Sequence, residues 1–299
     1  MLKRLAAAGA ALAAPGIALT IASECMIRPR VFYTGAWHPD PPDAVRGRFE
    51  EAEIYTPDAL ALQGWLFKAE QTNAPTILFM HGTSYNASDM WVTPERAAAF
   101  NDFLTGIRAN FFVFDYRGFG RNAGTPTEEG TYTDAASALG WLYQSSGVDP
   151  TSLFYYGFSL GTGIATELAL REPPAGLILR APFTSIRALA LDRFDWLRWG
   201  FRVAPWLPLT NYDTLSKISR LDCPLLVMHG DSDRTVREYM GKQIFEAAAE
   251  PKTYVQFPDS GHSDISADLV VPPITSFIRR SLARQLSTPL HTGTERGRG

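Results

Sequence analysis

Five short apolar runs recur along the chain: TILFM at 76–80, FFVFDY at 111–116, SLFYYG at 152–157, GLILRA at 176–181 and PLLVMHG at 224–230. Runs this short and this apolar read as strands buried on both faces. Helical patterns lie between most of them, over about 94–108, 134–146, 161–171 and 236–249. Parallel strands need a crossover long enough to hold a helix, so the alternation predicts a mostly parallel α/β sheet with helices on both faces. Two earlier strands, 48–55 and 60–69, flank a TPDA turn and read as an antiparallel hairpin, after a Pro-rich connector at 38–43. A last strand at 252–257 and a helix at about 272–284 complete the pattern. The rhythm breaks at 186–215, a stretch carrying Phe194, Trp196, Trp199, Phe201 and Trp206 that is longer than a simple connection needs. It reads as a short aromatic-rich cap insertion.

The 299 residues suffice for one large domain, placed at 31–286, followed by a disordered tail at 287–299. Residues 1–30 stand apart. Lys3 and Arg4 precede an uncharged run from Leu5 to Ser23, the pattern of a signal peptide or an N-terminal membrane anchor. Weakly apolar alanines and Pro15-Gly16 favour cleavage, and the length of the run favours an anchor. Either way the domain is expected to be membrane-anchored or exported. A buried N-terminal helix accounts for the run less well, because it has no polar face. With 28 basic and 31 acidic side chains the net charge is −3, which offers no field for nucleic acid. Cys25 and Cys223 stand far apart with no Cys/His cluster, so the sequence implies neither a disulfide framework nor a metal site, and no cofactor.

Ligands of such sheets sit at the carboxyl ends of the strands. There, after SLFYY, stands Gly157-Phe158-Ser159-Leu160-Gly161, a G-x-S-x-G sequence between a strand and a helix. A serine on so sharp a turn has crowded neighbours, and glycine at 157 and 161 leaves room for them while the hydroxyl is held out at the top of the sheet. Its hydroxyl needs a base. Of five histidines, His38 precedes the first strand, His291 is in the tail, and His81 and His229 each end a strand in an HG pair. His262, in the loop after the last strand, can reach over the serine turn. The base in turn needs a carboxylate, and PLLVMHG is followed by both Asp231 and Asp233. Oxyanion donors are expected from two backbone N–H groups, those of Leu160 and Thr83, the latter after Gly82 in FMHGT. His81 reads as structural, and Asp115 as a buried loop anchor that must be paired.

In these blocks the chain resembles the α/β-hydrolase superfamily and, within it, the BEM46/ABHD13-like serine hydrolases. The resemblance spans about 48–284 and rests on FMHGTSYNASD, VFDYRGFGRNAGTPTEEGTYTDA, YYGFSLGTG, RAPFTSI, NYDTLSKISRLDCPLLVMHGDSDRTV and DSGHSDI, in that order. It implies a Ser-His-Asp triad and places the acid on Asp233 and the base on His262. Many relatives also carry an N-terminal membrane segment, matching 5–23. Asn122 stands where such proteins commonly have serine, and Arg237 where proline is frequent. The function expected is a serine hydrolase, an esterase, lipase or thioesterase type that acts on small-molecule ester or acyl substrates. The alternatives are a peptidase of the prolyl-oligopeptidase or iminopeptidase type and an inactive, membrane-tethered binding protein of the same fold. Substrate-binding residues and oligomeric state are not legible.

Overall fold

The computed structural model describes residues 31–32, 45, 49–193 and 210–287. The N-terminal run 5–23, the aromatic stretch 194–206 and the tail from 288 onward lie outside the described residues, as do His38 and His291. Among the described residues eight strands form one sheet: β1 Phe49–Tyr55, β2 Ala61–Phe67, β3 Thr76–Met80, β4 Asn110–Phe114, β5 Leu153–Phe158, β6 Gly176–Arg180, β7 Leu225–Gly230 and β8 Lys252–Phe257. Their order is β1-β2-β4-β3-β5-β6-β7-β8, with β1/β2 and β2/β4 antiparallel and all other pairs parallel. The hairpin and the parallel run expected from the sequence are both present, with strand ends shifted by no more than two residues.

Seven α-helices accompany it among the described residues: α1 Pro94–Ile107, α2 Glu128–Ser145, α3 Leu160–Arg171, α4 Ile186–Arg193, α5 Leu215–Ile218, α6 Glu238–Ala247 and α7 Ala267–Ser287. Adjacent residues of β3 serve opposite cores. Leu78 joins Phe112, Tyr155, Leu139, Ile164 and Met240 on one face, and Ile77 joins Phe111, Phe100, Ile274 and Phe277 on the other. All five residues of β3 are buried, which is why its sequence shows no alternation.

Two helices begin earlier than the sequence suggests. α2 starts at Glu128, where Thr127 accepts the Gly130 N–H at 3.0 Å and two acidic residues occupy the first turn. Gly130 hides this start, yet a Cβ there would lie 2.7 Å from the Arg117 side chain, so packing rather than helix propensity sets that residue. α7 starts at Ala267 and carries Pro272 and Pro273 inside it. Proline breaks a helix pattern in a sequence, and as the sixth and seventh residues of α7 these two forfeit the bonds to the carbonyls of Asp268 and Leu269, so the pattern hides the true start. α4 opens the expected cap insertion, and α5 begins at its last residue, Leu215.

Candidate active site

The turn from β5 into α3 puts Ser159 at φ 52° and ψ −116°, a left-handed φ that side-chain-bearing residues avoid. Crowding explains its glycines. A Cβ at Gly157 would stand 2.5 Å from the Gly161 carbonyl oxygen, and one at Gly161 would run into the carbonyl of Met80. The turn is held by Ser159 N–H donating to the Arg180 carbonyl at 3.0 Å and by Thr162 N–H donating to the Ser159 carbonyl at 2.9 Å.

The loop after β8 brings His262 to this turn. Its Nδ1 is 2.7 Å from Asp233 Oδ2 and its Nε2 is 3.0 Å from Ser159 Oγ. A carboxylate only accepts, so the proton sits on Nδ1 and the Nε2 lone pair faces the serine hydroxyl. The Phe158 ring packs beside the imidazole, centroids 5.1 Å apart. Asp231 is exposed and bonds Ser232 instead, so of the two acids left open by the strand end, Asp233 is the one that meets the histidine.

Asp233 is embedded. Its Oδ1 accepts the N–H groups of Thr235 at 2.8 Å and Val236 at 2.9 Å. Burial alone would raise its pKa, but hydrogen bonds from His229 and His262 outweigh it and hold the carboxyl well below the usual carboxylate range. His229 is the residue whose part the sequence left unassigned. Fully buried at the end of β7, it donates from Nε2 to the Val236 carbonyl at 2.9 Å, and the same nitrogen lies 3.5 Å from Asp233 Oδ2. A histidine closing the strand just before the acid loop was the available signal.

Around the proposed oxyanion site, Gly82 lies against the serine turn: a Cβ there would stand 3.1 Å from Ser159 Cβ. Thr83 follows in the same turn, and Leu160 is the first residue of α3, where an N–H has no intrahelical acceptor. Beneath this turn His81 and Asp115 are buried together, with His81 Nε2 at 3.5 Å from Asp115 Oδ1. His81 Nδ1 donates to the Gly82 carbonyl at 2.8 Å, Asp115 Oδ1 accepts the Ala87 N–H at 2.7 Å, and Tyr116 Oη donates to the His81 carbonyl at 3.0 Å. Both residues thus fasten the turn. Asn122 bridges β2 and the end of β4, accepting the Gln63 N–H at 3.0 Å and donating to the Asp115 carbonyl at 2.5 Å. Arg237 reaches the cap helix α4, with Nε 3.1 Å from Asp192 Oδ2. Among the described residues no group of three or more His, Cys, Asp or Glu side chains could hold a metal ion.

A mostly parallel eight-stranded sheet carrying a serine at a strand-to-helix turn, with an imidazole and a carboxylate lined up behind it, defines an α/β-hydrolase fold. Residues 71–221 match the family described as serine aminopeptidase, S33, and the chain belongs to that family within the α/β-hydrolase superfamily; it is a hydrolase. An uncharacterized protein of Mycobacterium tuberculosis is 35% identical over 261 residues, 85% of this chain and 86% of that protein. The lysophosphatidylserine lipase ABHD12 of Danio rerio is 31% identical over 235 residues, 73% of this chain and 56% of the lipase, so this chain matches little more than half of that relative. Among solved structures, the α/β hydrolase GrgF from Penicillium sp. sh18 superposes with a TM-score of 0.61 at 17% identity, covering 79% of this chain and 99% of that one.

Proposed function

We propose that this chain is a serine hydrolase that cleaves carboxylic ester or thioester bonds in small acyl or lipid-like substrates. The observation that carries the reading is the hydrogen-bonded line from Asp233 through His262 to Ser159. In this reading Ser159 Oγ attacks the acyl carbon while His262 Nε2 takes its proton, and Asp233 stabilises the imidazolium. The N–H groups of Leu160 and Thr83 receive the developing oxyanion. The imidazolium then protonates the departing oxygen or sulfur, leaving an acyl-Ser159 ester that water cleaves with the same histidine as base. Similarity to a lysophosphatidylserine lipase supports an acyl substrate. The family description favours a second reading, release of an N-terminal residue from a peptide.

A chain-length series of nitrophenyl esters and matching aminoacyl anilides separates the two. Ester cleavage with fluorophosphonate labelling at Ser159 is expected, and Ser159→Ala lowers kcat by on the order of 10⁶. Turnover of anilides but not esters favours the peptidase, and neither turnover nor labelling leaves an inactive binding protein. Residues 5–23 are proposed to target the domain to or across a membrane. No helix among the described residues is long and apolar enough to cross one. The full chain is therefore expected in the membrane or exported fraction and a form lacking residues 1–30 in neither, which cell fractionation checks.

A further inference from the structure

Arg180 ends β6 beside the serine turn, its carbonyl accepting the Ser159 N–H at 3.0 Å. Its guanidinium carbon stands 5.0 Å from the centroid of the Phe158 ring, the same ring that packs beside His262. The residue is half-buried. Among the described residues no carboxylate lies within ion-pair distance of it, and its Nε is enclosed without a hydrogen-bond acceptor. Burial raises the pKa of the Tyr156 hydroxyl, and the Arg180 charge pulls it back down. Two other well-buried cations among the described residues are matched: Arg117 lies 2.7 Å from both Asp134 and Asp58, and Lys217 lies 2.7 Å from Glu167. A guanidinium partly withdrawn from water loses hydration, and aromatic faces restore only part of it. Its planar fork is suited to an oxyanion.

We propose that Arg180 receives an anionic group of the substrate, a carboxylate or a phosphate lying beyond the scissile acyl carbon. The inference rests on the acyl-hydrolase reading above and names the substrate class of the same site. Phe158 touches both the guanidinium and the imidazole, so the two are no farther apart than the two centroid distances laid end to end. That is within reach of a glycerol phosphate headgroup or a short dicarboxylic acyl chain.

Two matched pairs of substrates test this in the full chain. One compares a monoacylglycerol with its phosphate, which puts the anion on the leaving group; the other compares nitrophenyl esters of a monocarboxylic and a dicarboxylic acid of equal length, which puts it on the acyl side. In one pair the wild type should favour the anionic member in kcat/KM by at least tenfold, and that pair identifies the source of the anion. Arg180→Gln should collapse this ratio to near one through KM, and Arg180→Lys should keep part of it. Should the glutamine variant fail to fold, the wild-type ratios and the lysine variant still decide. No anionic preference in either pair, or a glutamine variant that slows both members of a pair equally, overturns the proposal. Turnover of neutral esters without anionic preference defeats this inference alone. Absence of any ester turnover defeats the reading beneath it.

Discussion

His81 and Asp115 lie under the turn that carries Thr83, and burial displaces each toward its uncharged form. The imidazole is pushed down to about 4 and the carboxyl up to about 7. Unfolded, the carboxyl titrates near about 3.9 and the imidazole near about 6.5. Between those values the unfolded pair carries one proton, on the imidazole, and the folded pair also carries one, on the carboxyl. Because the two states bind equal numbers of protons, the pair adds almost no slope to stability there. Asp115→Asn can keep the Ala87 hydrogen bond but removes the compensation. Through His81 its folded state then binds fewer protons than its unfolded state. Its stability relative to wild type should therefore rise by on the order of 1–3 kcal/mol from about pH 4 to about pH 6.5. Urea unfolding at several pH values measures this, and a constant difference would contradict it. Asp233 acts at the same scale. Asp233→Asn keeps the shape but favours the wrong His262 tautomer, so kcat for a nitrophenyl ester should fall by about 10⁴.

Elements are fixed here by side chains that reach across them. Glu128, the first residue of α2, accepts the N–H groups of Asn211 at 2.6 Å and Tyr212 at 2.8 Å and the Tyr132 hydroxyl at 2.8 Å. It thereby fastens the returning arm of the insertion to the helix start, aided by the Thr131–Tyr212 side-chain bond at 2.7 Å. Glu128→Ala leaves those donors without their acceptor, and a loss of about 1–3 kcal/mol is expected. Amide exchange at Asn211 and Tyr212 should speed up more than exchange in β5. The opposite arm is tied by Asp192, which meets Arg237 Nε and the Tyr239 hydroxyl at 3.1 Å each. Arg237 departs from the proline frequent at that position, and the ion pair with the cap helix gives the departure a structural reason. Neither tether was legible from the sequence, because each pairs residues distant in the chain whose meeting depends on how the helices pack.

At the scale of the whole fold, the described residues build one sheet between two cores, and its central strand supplies both. Ile77→Ala and Leu78→Ala each empty a fully buried site on opposite faces. Each should cost about 2–5 kcal/mol. Calorimetry should show one lowered transition in both variants, because the two cores share β3. Two separate transitions in either would show that the faces unfold independently. The chain order of strands and helices, the serine turn and the candidate acids and bases were readable from the sequence, because strand burial and tight turns leave local signatures: unbroken apolar runs, and glycine where a Cβ has no room. Which partner each group meets was decided only by the tertiary structure. Arg237 meets Asp192, Glu128 grips the insertion and Arg180 stands without a carboxylate among the described residues, whereas Asp233 as the partner of His262 was already what the family resemblance implied. The physical reason is that hydrogen bonds and desolvation act over a few ångströms in space. Sequence spacing fixes that distance only within a turn or a helix, whereas these pairs are brought together by the order and twist of the sheet.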